Sequence, residues 1–243
     1  MKANHVTLSA SFISLLLCGA PVAYAQTVDP SGHWRGSLEI PGQSLSVEFD
    51  IAKDAKGNFV GVFTGSDVKN LPLTKIVVSG RSVMLQANSE QPFNGELSAD
   101  GKAIAGTAIV SGYSLPLELT RTGDAHIEPP PTSAPISREL EGTWEGTLNA
   151  SRGPLRITLR MANQPDGRAV GHIVSVDEGG LLVPVVITQN GANVSYEATA
   201  VPSSWAGVLS ADGDELSGTF TQGSASLPLN FRRALARIGR QQP

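Results

Sequence analysis

The chain has 243 residues with 16% charged side chains, 5% aromatics and a formal net charge of −4. Such sparse, mildly acidic charge gives no basic face for nucleic acid, and so few aromatics supply no stacking platform for bases or sugars. Plentiful Gly (26) and Pro (16) favour short strands and tight turns over long helices.

Residues 1–25 read as a secretory signal peptide. Lys2 lies in a short polar start, the apolar run extends from Ser11 to Ala20, and Ala23-Tyr24-Ala25 forms an A-x-A cleavage pattern ahead of Gln26. Cleavage after Ala25 is expected, with a periplasmic or secreted destination. It removes Cys18, the sole cysteine, so the mature chain is expected to form no disulfide and to depend on core burial. No later apolar stretch has the length of a membrane-spanning helix.

The rest is one β unit written twice. Gly32-His33-Trp34-Arg35-Gly36-Ser37-Leu38 returns 110 positions later as Gly142-Thr143-Trp144-Glu145-Gly146-Thr147-Leu148. The first strand is expected at 34–40. After Pro41-Gly42 the second begins, and Leu45, Val47, Phe49 and Ile51 alternate with polar residues. That period of two puts one face in a core and the other in water, as in an antiparallel sheet. Leu155, Ile157, Leu159 and Met161 repeat the pattern. Gly57 and Gly167 suit the hairpin turns that follow.

Further strands are expected at 59–64 and 169–176, 71–78 and 183–188, 83–87 and 194–198, and 93–97 and 205–209. Ser98-Ala99-Asp100-Gly101 recurs unchanged as Ser210-Ala211-Asp212-Gly213. The seventh strands hold Gly106-Thr107 and Gly218-Thr219, and the eighth hold Ser114-Leu115-Pro116-Leu117 and Ser226-Leu227-Pro228-Leu229. Eight short strands per unit predict an all-β fold of two tandem eight-stranded antiparallel meanders, as barrels or flattened sandwiches. The expected organisation is a first repeat at 26–122, a Pro-rich extended linker at 123–139 carrying Pro129-Pro130-Pro131, a second repeat at 140–233 and a basic tail at 234–243. The two repeats are expected to fold independently.

A Gly-x-Trp opening an eight-stranded meander resembles the lipocalin and avidin-like group of barrels, the calycins. In that group the Trp closes one barrel end and an arginine of the last strand stacks across it. The resemblance implies that Trp34 pairs with Arg121 and Trp144 with Arg233, with cation–π character. More closely, each unit, from Gly-x-Trp-x-Gly through Leu-Ser-Ala-Asp-Gly to Ser-Leu-Pro-Leu, is similar to the non-catalytic β-domain that precedes the catalytic domain in some secreted bacterial α/β-hydrolases. Here a second copy stands where the hydrolase would begin. Nitrobindin-like haem barrels share the opening phrase but need a late histidine, which 104–120 and 216–233 lack. No cofactor is therefore expected.

The sequence shows no catalytic constellation. Gly112-Tyr113-Ser114-Leu115-Pro116 lacks the last glycine of a nucleophile elbow. His33, His126 and His172 have no counterpart in the other repeat and read as surface or turn residues, so neither a serine triad nor a zinc site is expected. Asp212-Gly213-Asp214-Glu215 reads as a hairpin turn rather than a calcium loop. Pro72 matches Pro184 and Pro116 matches Pro228. A proline cannot donate to a ladder, so all four are expected at seams that open a barrel mouth. The matched glycines Gly61/Gly171, Gly95/Gly207 and Gly106/Gly218 are expected at bends, and the interiors to be filled or nearly so. The function that follows is an exported, non-enzymatic protein binding a partner protein or a small apolar ligand. The alternative is an accessory subunit, or a remnant, of a secreted α/β-hydrolase system.

Overall fold

The computed structural model describes residues 29–88, 91–110 and 112–234. The expected signal peptide, and the basic tail beyond residue 234, lie outside them.

The first repeat comprises β1 (Gly32–Ile40), β2 (Gln43–Lys53), β3 (Phe59–Thr64), β4 (Leu71–Pro72), β5 (Lys75–Ser79), β6 (Ser82–Gln86), β7 (Pro92–Leu97), β8 (Ala103–Val110) and β9 (Tyr113–Gly123). The second comprises β10 (Gly142–Ala150), β11 (Gly153–Asn163), β12 (Ala169–Ser175), a 3-10 turn at Val176–Glu178, β13 (Leu181–Asn190), β14 (Asn193–Ala198), β15 (Ser203–Leu209), β16 (Glu215–Gln222), β17 (Ala225–Pro228) and β18 (Phe231–Arg233). All pairings between these strands are antiparallel.

The second repeat closes into a barrel. Strands β10 to β16 pair in succession, and β18 pairs with both β16 and β10. β17 and β18 are halves of one eighth strand. The first repeat is a curled sheet ordered β4-β3-β2-β1-β9-β8-β7-β6-β5. Its edges β4 and β5 are halves of one fourth strand, separated by Leu73 and Thr74. Those two residues span the seam: Leu73 N–H donates to Gly61 O at 2.9 Å and Thr74 N–H to Gln86 O at 2.7 Å. The fold is thus all-β, two eight-stranded antiparallel meanders in tandem.

The prolines correct one expectation. β4 ends at Pro72 and β17 at Pro228, but the ladder continues through Pro116, opposite Thr107, and Pro184, opposite His172. Pro116 lies in the part of β9 paired only with β8, and Pro184 in the part of β13 paired only with β12. The missing N–H faces no second strand there, so the ladder loses nothing. Each repeat therefore has one proline break, on the fourth strand in the first and the eighth strand in the second.

The glycines pack rather than bend. Gly95 pairs with Gly106 and Gly207 with Gly218. A Cβ on Gly95 would sit 2.7 Å from the Phe93 ring, one on Gly207 2.5 Å from the Trp205 ring, and one on Gly106 2.0 Å from Asn94 O. Paired glycines let a core aromatic lie flat across the neighbouring strands.

The expected linker is held to both repeats: Gly123 ends β9, and the His126 N–H donates to Asp50 of β2 at 2.8 Å. Ser133 makes an antiparallel bridge to Ala169, and Ile136 and Leu140 are buried in the second core. Independence of the repeats also needs revision. Leu71 of the first repeat joins the second core, Val68 and Ala87 pack against it, and Lys69 N–H donates to Ala200 O at 2.8 Å.

Candidate ligand site at the mouth of the second barrel

One end of each repeat is built on the same plan. Trp34 pairs across strands with Arg121, and Trp144 with Arg233. The guanidinium carbons lie 4.7 and 4.3 Å from the respective indole centroids. Both indoles are fully buried, and each N–H donates to the carbonyl four residues earlier, Pro30 at 2.9 Å and Leu140 at 3.0 Å. Arg121 donates to Ser31 O at 2.6 Å and Asp29 O at 2.7 Å. Arg233 donates to Glu141 O at 3.0 Å, to Gly213 O at 2.9 Å and to Glu139 O. The arginine ties the entering chain across the Trp and covers that end of the repeat.

The other ends differ. In the first repeat Phe49 packs against Phe63 at 5.1 Å and Phe93 at 6.2 Å between centroids. They leave a void of about 90 Å³, well short of the roughly 300–1,000 Å³ that ligand pockets occupy. The matching positions of the second repeat carry Leu159, Ile173 and Trp205. Around Ile173, which stands where the first repeat has Phe63, lies a cavity of about 480 Å³. The expectation of filled or nearly filled interiors describes the first repeat, and in the second the free space lies at the mouth.

Apolar residues line this cavity, among them Leu148, Leu155, Ile157, Ile173, Leu181 and Phe220, together with Tyr196 and Ser175. Tyr196, in place of Leu85, stacks on Trp205 at 6.0 Å and 15°, and Trp205 meets Phe231 edge-on at 5.6 Å. The Trp205 N–H is satisfied by Leu229 O at 2.8 Å. The hydroxyls of Tyr196 and Ser175, by contrast, are buried without a hydrogen-bond partner among the described residues. Burial pushes the Tyr196 phenol well above its ordinary range, so it stays neutral and able to donate. An unmade hydrogen bond at a buried hydroxyl costs about 1–3 kcal/mol, recovered when a partner arrives.

The rim is acidic and shared between the repeats. Asp67, Val68, Asn88 and Gln91 reach it from the first repeat, Asp177 and Glu178 from the second. Arg156 donates to Asp177 through its guanidinium at 2.5 and 2.9 Å and its backbone N–H at 2.7 Å. Those side-chain bonds, then the backbone one, hold the Asp177 carboxyl below its usual range. Asp67 and Glu178 leave the entrance negative.

The histidines form one arrangement that the sequence did not reveal. His33 and Asp50 are cross-strand partners, with Nδ1 2.9 Å from the carboxylate. Arg35 Nε donates to His33 Nε2 at 3.2 Å, and the His126 backbone N–H donates to Asp50 at 2.8 Å. With both ring nitrogens engaged, the cluster fastens the linker to β2 rather than presenting a base. His172 is half-buried, and desolvation, aided by Arg160, lowers its pKa. No group of three or more potential metal ligands occurs among the described residues.

No family model matches the chain, and no curated protein matches it. Among solved structures, a "putative outer membrane protein" of Bacteroides fragilis is 13% identical, with a TM-score of 0.26, over 86% of this chain and 99% of that one. A protein with unknown function from the DUF3598 family, from Nostoc punctiforme, is 12% identical, with a TM-score of 0.26, over 84% of this chain and 96% of its own. Likeness at that level carries no argument about this protein.

Proposed function

We propose that this chain is an exported, non-enzymatic binding protein that takes one small, largely apolar molecule into the mouth of the second barrel. The supporting observation is the cavity of about 480 Å³ whose apolar lining includes two residues with unpartnered buried hydroxyls, Tyr196 and Ser175. The chemistry favours a ligand with an aliphatic or aromatic body and a neutral polar group, such as a carbonyl, that accepts from the Tyr196 phenol. The acidic entrance disfavours a carboxylate or phosphate head. The A-x-A pattern at Ala23-Tyr24-Ala25 supports export to the periplasm or beyond.

A titration with the neutral, environment-sensitive dye Nile red tests the reading. The expected result is one saturable site whose fluorescence is lost in Ile173→Phe, which restores the ring that fills the first repeat. Undiminished dye binding to a folded Ile173→Phe protein would place the site elsewhere.

A further inference from the structure

The two repeats differ at a second place, independent of the cavity. In the second repeat Ser133 straps the start of β12. Its N–H donates to Ala169 O at 2.8 Å, and Ala169 N–H donates back at 3.0 Å. The Ser133 hydroxyl accepts from Ile187 N–H at 2.7 Å. Three residues on, Ile136 enters the core, its own N–H held by Asn163 Oδ1 at 2.9 Å. The strap fills the wedge that opens where β13 leaves β12 to pair with β14.

The equivalent of Ala169 in the first repeat is Phe59, paired with Lys53 as Ala169 is with Asn163. Its backbone orientation follows from its neighbours. Asn58 O accepts from Asp54 N–H within the hairpin, and Gly61 O accepts from Leu73 N–H across the seam. Antiparallel alternation then turns the Phe59 N–H and C=O away from β2, toward the wedge. Among the described residues no hydrogen bond reaches either group. The edge borders a groove of about 670 Å³, walled by Phe59, Val60, Val62 and Leu73 on the sheet side and by Pro129 and Pro130 of the linker opposite.

Position in the repeat says what is missing. Ser133 stands eleven residues before Trp144; eleven before Trp34 is Ala23, upstream of the expected cleavage after Ala25. That expected cleavage, on which the inference rests, puts the strap position outside the mature chain. We infer that the β3 edge at Phe59 docks an extended segment of a partner polypeptide, uncharged, with Ser or Thr at the bridging position and an aliphatic residue three further on. Two main-chain hydrogen bonds set its register, as in strand addition to a sheet edge, and the groove admits its side chains.

The test is residue-resolved amide hydrogen exchange on the mature full chain, with a capped synthetic peptide copying residues 130–138 as the probe. In the free protein the Phe59 amide is expected to exchange at least about a hundredfold faster than Ala169. Millimolar peptide is expected to slow Phe59 about tenfold or more and leave Ala169 unchanged. The same peptide N-methylated at its serine, which removes the bridging donor, is expected to have no effect. Three results would each overturn the inference: Phe59 protected like Ala169 without peptide, whether by the chain's own segment or by a second copy; no slowing at millimolar peptide; or equal slowing by the N-methylated peptide.

Discussion

The first and second repeats share a sealed end and differ at the open one. At the sealed end the same Trp, Arg and chain crossing recur, with each arginine over a buried indole and bonded to carbonyls of the entering chain. At the open end three phenylalanines, Phe49, Phe63 and Phe93, fill the first repeat, while the second has Ile173 in place of Phe63 and a cavity at its mouth. One scaffold thus gives one packed unit and one with an open mouth. The packed unit also has a use: it lends Asp67, Val68 and Gln91 to its neighbour's entrance.

The largest effect is expected at the shared end. Trp34→Ala and Trp144→Ala each remove a fully buried indole and should each destabilise by about 3–5 kcal/mol in urea unfolding. A small cost for either would break the equivalence of the sealed ends. Next comes an exchange across the open ends. Phe63→Ile should cost about 1–2 kcal/mol by hollowing a filled interior, while Ile173→Phe should cost less than about 1 kcal/mol because space awaits the ring. Equal costs would mean that the two interiors are alike.

Tyr196→Phe sharpens the contrast at one atom. Removing an unpartnered buried hydroxyl should leave the free protein unchanged or stabilise it by up to about 1 kcal/mol, while weakening ligand binding about tenfold. A clear loss of stability in the free protein would show that the hydroxyl is already bonded. The smallest effect concerns His172. Its folded pKa lies below the ordinary 6.5, chiefly through desolvation, so the unfolded chain takes up the proton more readily. Stability should be fully present above pH 6.5 and fall as the pH drops through that value toward the folded pKa. Urea titrations at pH 7.5 and 5.5 should show a smaller loss in His172→Gln than in the parent protein.

Much of this architecture can be read along the chain because it rests on local signals. Period-two alternation from Leu45 to Ile51 and from Leu155 to Met161 marks strands that the structure extends by a residue or two. The pairing of Trp34 with Arg121 and of Trp144 with Arg233 follows from the resemblance to calycin barrels, with the two arginines at matching positions. What cannot be read depends on register or on summed volume. His33 and Asp50 meet only because β1 and β2 pair at that offset. Pro116 and Pro184 keep their ladders because each faces a missing neighbour, which requires the sheet order. The cavity depends on residues such as Leu148, Ile173 and Tyr196 converging from three strands. Leu71 and Val68 look like ordinary residues of the first repeat, yet pack on the second.

Native mass spectrometry of the protein recovered from its own host is the most direct test of the central claim, that the second barrel is a ligand site and the first is not. The account predicts a single extra mass that denaturing conditions release, kept by Phe63→Ile and lost from Ile173→Phe. A bare protein mass, or an extra mass retained in folded Ile173→Phe, would contradict it.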